Sequence, residues 1–119
     1  MEERELLRKI IGLLDDKKGE DIVAFKINEV SSLADYILIC TANSEVHARA
    51  LAETLIEEMK KKGVSYIAVE GKENSQWICV DYGEIIVHIM TAASREFYHL
   101  ESIWGACEKI TSESIDVGK

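Results

Sequence analysis

The chain has 119 residues, 47% of them hydrophobic and 30% charged, with a formal net charge of −8. That length makes one domain with a sizeable core, and no apolar run approaches the ~18 residues a membrane span needs. The charge balance leaves no lysine and arginine excess for extensive phosphate contact, so nucleic-acid binding is disfavoured and a basic protein surface is the better match.

The N-terminus, Met-Glu-Glu-Arg-Glu, is acidic where a secretory signal would be basic and then apolar, and a cytoplasmic protein is the economical reading. Residues 2–18 carry Leu6, Leu7, Ile10, Ile11, Leu13 and Leu14 at helical spacing. Acids fill the first turn of this helix, Lys17 and Lys18 end it, and Gly19 is its expected left-handed stop. Residues 21–27 read as a first strand. Residues 35–41, almost continuously apolar, read as a central strand buried on both faces. Asn43 or Ser44 caps a second helix over residues 44–62, with Ala48, Leu51, Ala52, Leu55, Ile56 and Met59 inward and Gly63 at its end. The lysines at 60–62 suit a solvated helix C-terminus better than a nucleic-acid patch.

A third strand is expected over residues 64–70. Residues 77–90 alternate as a hairpin with its turn at Tyr82-Gly83, which sets Asp81 opposite Glu84, Cys79 opposite Ile86 and Trp77 opposite His88. Ile78, Val80, Ile85, Val87 and Ile89 form the core face. The other face holds an aromatic, a histidine and two like charges, a combination that costs stability and points to a partner. Thr91 caps a last helix over residues 92–104, with Ala93, Phe97, Leu100 and Trp104 on one face. The order α-β-β-α-β-β-β-α implies a mixed α/β fold, a mixed sheet of about five strands flanked by helices. Residues 1–105 form its single domain and 106–119 a C-terminal tail.

Chemistry-bearing patterns are few. The three cysteines, Cys40, Cys79 and Cys107, are widely spaced and lack Cys-x-x-Cys or Cys/His metal spacing, so neither a zinc site nor a disulfide framework is expected. Asp81 and Glu84 are the one carboxylate pair placed together, and such a pair invites an enzyme reading with Mg²⁺. The loop Thr41-Ala42-Asn43-Ser44 has no glycine to cradle a phosphate, and neither a nucleophile elbow nor a Walker-type lysine loop occurs. His88 beside Trp77 reads equally as a stacked, half-buried strand histidine. Trp77 rimmed by acids has the makeup of an interface anchor.

These residues resemble a known family. Asp35-Tyr36, Glu70-Gly71, the block from Trp77 through Asp81, Gly83 and Glu84 to His88, and the stretch Arg95-Glu-Phe-Tyr98-His-Leu100-Glu101-Ser-Ile-Trp104 look like the Iojap family, the ribosomal silencing factors. The likeness covers nearly the whole chain. It departs where the family commonly has aspartate in place of Glu84, and often Thr-Gly-Thr-Ser in place of Thr41-Ala-Asn-Ser44. The resemblance implies a nucleotidyltransferase-like fold without catalytic residues or cofactor. It also implies homodimers, and binding to the large ribosomal subunit through its fourteenth protein, blocking small-subunit joining and repressing translation. Carried over, Trp77, Asp81, Gly83, Glu84 and His88 are the docking candidates, with Tyr82, Glu70 and Met90 secondary. Tyr98, Leu100 and Trp104 serve either docking or core packing. A divergent nucleotidyltransferase and a homodimeric scaffold without a ribosome role are the alternatives.

Overall fold

The computed structural model describes residues 2–115. Helix α1 (Glu3–Asp16) buries Leu6, Leu7, Ile10, Ile11 and Leu14. Its left-handed stop falls on Lys18, with φ 72°, rather than on Gly19. Gly19 is required for space instead: a Cβ there would lie 2.6 Å from Cys40 Sγ and 2.9 Å from the Leu14 carbonyl oxygen. Strand β1 (Glu20–Lys26) follows, then β2 (Tyr36–Ala42), in which every residue is buried. Helix α2 (Glu45–Lys61) is capped by the Ser44 hydroxyl, which accepts from the His47 amide. The His47 ring ties two helix ends together: its Nδ1 accepts from the Asn43 amide, so its Nε2–H donates to the Lys17 carbonyl at 2.9 Å.

The chain continues through β3 (Ala68–Glu70), β4 (Trp77–Asp81), β5 (Ile85–Thr91), α3 (Ala92–Tyr98), a 3₁₀ helix (Leu100–Trp104) and β6 (Glu108–Thr111). Among the described residues the sheet has six strands in the order β3-β4-β5-β2-β1-β6. Only the central β2–β5 pair is parallel, because α2 and the β3–β4 excursion return the chain before β5. Helices α1 and α2 cover one face, over Leu38, Cys40, Ile78, Val80, Ile85, Val87 and Ile89. A smaller core of Phe25, Ile27, Ile37, Ile39, Ile86 and Met90 lies on the other face, with Trp77, Leu100 and Trp104 packed against it.

The structure departs from what the sequence predicts at four further points. The hairpin turns at Gly83-Glu84: the Tyr82 amide donates to the Ile85 carbonyl, and of the two turn residues only Gly83 has positive φ, the pattern of a turn with glycine first. Trp77 therefore lies opposite Met90, Cys79 opposite His88 and Asp81 opposite Ile86. The third strand begins at Ala68 rather than residue 64. The last helix breaks at His99, in the left-handed region at φ 47°, so Ala93 and Phe97 are exposed and only Leu100 and Trp104 turn inward. Finally, part of the expected tail is a sixth strand, since Glu108–Thr111 pairs with β1 and buries Ile110. Tail residues 116–119 lie outside the described residues.

Candidate functional site

The face of β4 and β5 opposite α1 and α2 carries Trp77, Cys79 and Asp81 from one strand and Ile86, His88 and Met90 from the other. Trp77 Nε1–H donates to His88 Nδ1 at 2.9 Å. An indole nitrogen only donates, so the His88 ring is neutral with its proton on Nε2. Burial has the same effect, pushing this imidazole down to about 4. Tyr98 packs on Trp77 at a tilt of 48° with ring centroids 4.8 Å apart, and Phe97 meets Tyr98 edge-on at 4.9 Å. Phe97 and Tyr98 are 78% and 53% exposed, so the chain of rings runs from a half-buried strand pair out to solvent. Such an aromatic run, leading from a sheet face onto α3, is unusual for a surface with no partner.

Arg95 holds this platform down. Its guanidinium donates to Glu101 Oε2 from Nε and Nη2, to the Asp21 carbonyl at 2.7 Å and to Thr41 Oγ1 at 2.8 Å. One side chain thus joins α3, the 3₁₀ helix, β1 and β2. The same guanidinium holds the Glu101 carboxyl below the usual carboxylate range.

The expected carboxylate pair does not form. Asp81 Oδ1 accepts from the Gly83 amide at 2.7 Å and so braces the turn. Glu84 instead joins Glu3 and Asp35 at the far end of β4 from Trp77, with carboxylate oxygens within 4.8 Å of one another. Three oxygens so placed are hard-cation donors by type. Hydrogen bonding to Asp35, with desolvation and the neighbouring charges behind it, pushes Glu3 up to about 7. Tyr82 and Met90 are buried, Tyr82 among the α1–α2 core and Met90 beneath Trp77, so neither offers a partner surface. The Tyr82 hydroxyl has no hydrogen-bond partner among the described residues. Glu70 and Gly83 are accessible beside Cys79 and Asp81, and Leu100 and Trp104 are half-buried. Cys79 and His88 face each other without forming an activated pair: burial, helped by Asp81 and Glu70, pushes the thiol up to about 11.

The chain matches the family described as "Ribosomal silencing factor during starvation" over residues 1–119. It belongs to the RsfS family. It is 43% identical to ribosomal silencing factor RsfS of Haemophilus influenzae over 83% of this chain and 97% of that one. With the RsfS of Halalkalibacterium halodurans it shares 34% identity over 97% and 98% of the two chains. A crystal structure of a Chromobacterium violaceum protein superposes with a TM-score of 0.85 at 34% identity, covering 88% of each chain. RsfS membership makes the chain a translation regulator associated with ribosomes, on the mixed fold expected from sequence. No helix among the described residues is long and apolar enough to cross a membrane.

Two titrations of this RsfS fold run in opposite directions with pH. His88 drops from 6.5 unfolded to about 4 folded, so the unfolded chain binds the extra proton between those values. Its contribution is full above pH 6.5 and is lost as pH falls toward 4, by at most ~3 kcal/mol. Urea unfolding from pH 7 to 4 should show this limb, and His88→Asn, which keeps an acceptor but cannot charge, should flatten it; an equal limb in both proteins contradicts the assignment. Glu3, raised in the fold, instead costs stability as pH rises from 4.5 to 7. Glu3→Gln should therefore raise stability at pH 8, by only a few tenths of a kcal/mol at a group that keeps part of its solvent contact. A destabilised variant contradicts the repulsion.

Proposed function

We propose that this chain docks on the large ribosomal subunit through the Trp77 face and blocks small-subunit joining by occupying volume the other subunit needs. The docking partner in this reading is the fourteenth large-subunit protein, as the family resemblance implies. The carrying observation is the continuous ring run from His88 through Trp77 and Tyr98 to Phe97, with the Glu70 carboxylate beside it and Asp81 farther along the same face of β4. An aromatic anchor with an acidic rim suits a basic protein surface, and the chain's net charge of −8 steers it there. The action is regulatory and non-enzymatic, in the cytoplasm. Two copies pairing through the same apolar face would compete with docking, and a homodimer built that way would have to split before the protein could bind the subunit.

Light scattering of mixed purified subunits tests this reading. Pre-incubating large subunits with the protein should lower the joined fraction, and raising salt should weaken the effect. Unchanged joining at saturating protein overturns it.

A further inference from the structure

Beside the ring run lies an open cleft of about 300 Å³ lined by Glu70, Gly71, Trp77, Cys79 and His88. Its shape depends on Gly71, which sits at φ +91° with the Trp77 carbonyl oxygen 2.0 Å from where a Cβ would be. Glu70 pairs directly with Cys79 across β3 and β4, so its carboxylate stands on the same face. Among the described residues no salt bridge engages Glu70 or Asp81. His88 adds no charge, because its Nδ1 accepts from Trp77; its Nε2–H has no protein partner among the described residues and can donate to a carbonyl. The cleft is thus a negative, half-apolar slot with an indole in one wall and a single neutral donor.

We propose that this cleft is the socket for one arginine side chain of the docking partner, its guanidinium paired with the Glu70 carboxylate and laid against the Trp77 indole. The proposal rests on the docking reading above and names the chemistry of that contact. A planar guanidinium satisfies a carboxylate and an aromatic face at once, which a compact, strongly hydrated ammonium does less well. An anion would meet Glu70 without any cation to offset it. A metal ion is disfavoured because Glu70, Cys79 and His88 do not gather their ligand atoms, as Glu3, Asp35 and Glu84 do. The small, open volume suits a side chain presented by a larger body better than a free metabolite.

The test uses the full chain, ¹⁵N-labelled, titrated with N-acetyl-arginine methylamide and followed by NMR. Saturable shifts should centre on the Trp77 indole N–H and the Gly71 and Cys79 amides. Glu70→Gln, an exposed edge-strand change that leaves the fold intact, should weaken binding about threefold to fivefold. N-acetyl-lysine methylamide should bind more weakly than the arginine compound. Scattered shifts, equal binding by Glu70→Gln or equal binding of the lysine compound overturns the proposal. If arginine binds here while the protein fails to bind large subunits, the socket stands and the ribosomal reading falls. If the protein binds subunits and arginine leaves the cleft unshifted, the reverse holds.

Discussion

Trp77→Ala should weaken binding to the large subunit by about 2 kcal/mol or more, roughly thirtyfold. The side chain is the hub of the face: it donates to His88 Nδ1, meets the Tyr98 ring at a tilt and packs over the smaller core that contains Met90. Alanine removes the contact area and also frees Tyr98 and His88 to move, so the loss exceeds that of a peripheral contact. Trp77→Phe separates the two effects. It keeps an aromatic surface but loses the Nε1–H donor, and should fall between wild type and alanine. Circular dichroism and urea unfolding establish that each variant is folded, and equilibrium binding to purified subunits gives the affinity. A folded Trp77→Ala protein that binds as wild type contradicts the anchor assignment.

Arg95→Ala should cost about 2–3 kcal/mol of folding stability. The side chain is only 12% exposed and serves three acceptors on three different segments. Its loss strands the hydroxyl of Thr41, itself buried, and removes the donor that ties down the exposed carbonyl of Asp21, a non-glycine residue held at φ 47°. Glu101 is more exposed and recovers solvation, which limits the cost. Arg95→Lys should recover only part of the loss, because an ammonium cannot bridge the same fork of acceptors. Urea unfolding measures the total. Amide exchange should show α3 and the 3₁₀ helix opening first, since they lose their tie to β1 and β2. Uniform exchange across the chain, or a cost below half a kcal/mol, contradicts the strut role.

Much of this molecule is legible in its sequence, and the failures are local. Helices α1 and α2 announce themselves through leucine and alanine spacing, and β2 through a run too apolar for any but a central strand. The two faces of the hairpin were also legible, because sliding the register by two residues preserves which side each residue takes. The cross-strand partners were not legible. Gly83 fits a two-residue turn in either position, and what settles it is tertiary: Tyr82 and Ile85 both enter the α1–α2 core once the glycine comes first.

The same tertiary choice separates Asp81 from Glu84, replacing an expected repulsive pair by a turn brace and a distant acidic cluster. The break at His99 carries no glycine or proline to mark it, and Phe97 sits at ordinary helical spacing yet is exposed. Strand β6 buries only Ile110 fully among four residues, too weak a pattern to register as an edge strand. Arg95 belongs to the stretch that carries the family resemblance, but its strut role is not legible there, because a single arginine on an amphipathic helix reads as solvated. Only the fold brings Asp21, Thr41 and Glu101 within its reach.

Docking through the Trp77 face is decided by a cryo-electron microscopy reconstruction of the protein bound to purified large subunits. The reconstruction should show Trp77, Tyr98, Glu70 and Asp81 buried against the fourteenth large-subunit protein, one copy per subunit, with α1 and α2 facing away. A complex docked through α1, through the β6 edge or onto ribosomal RNA alone would contradict that docking.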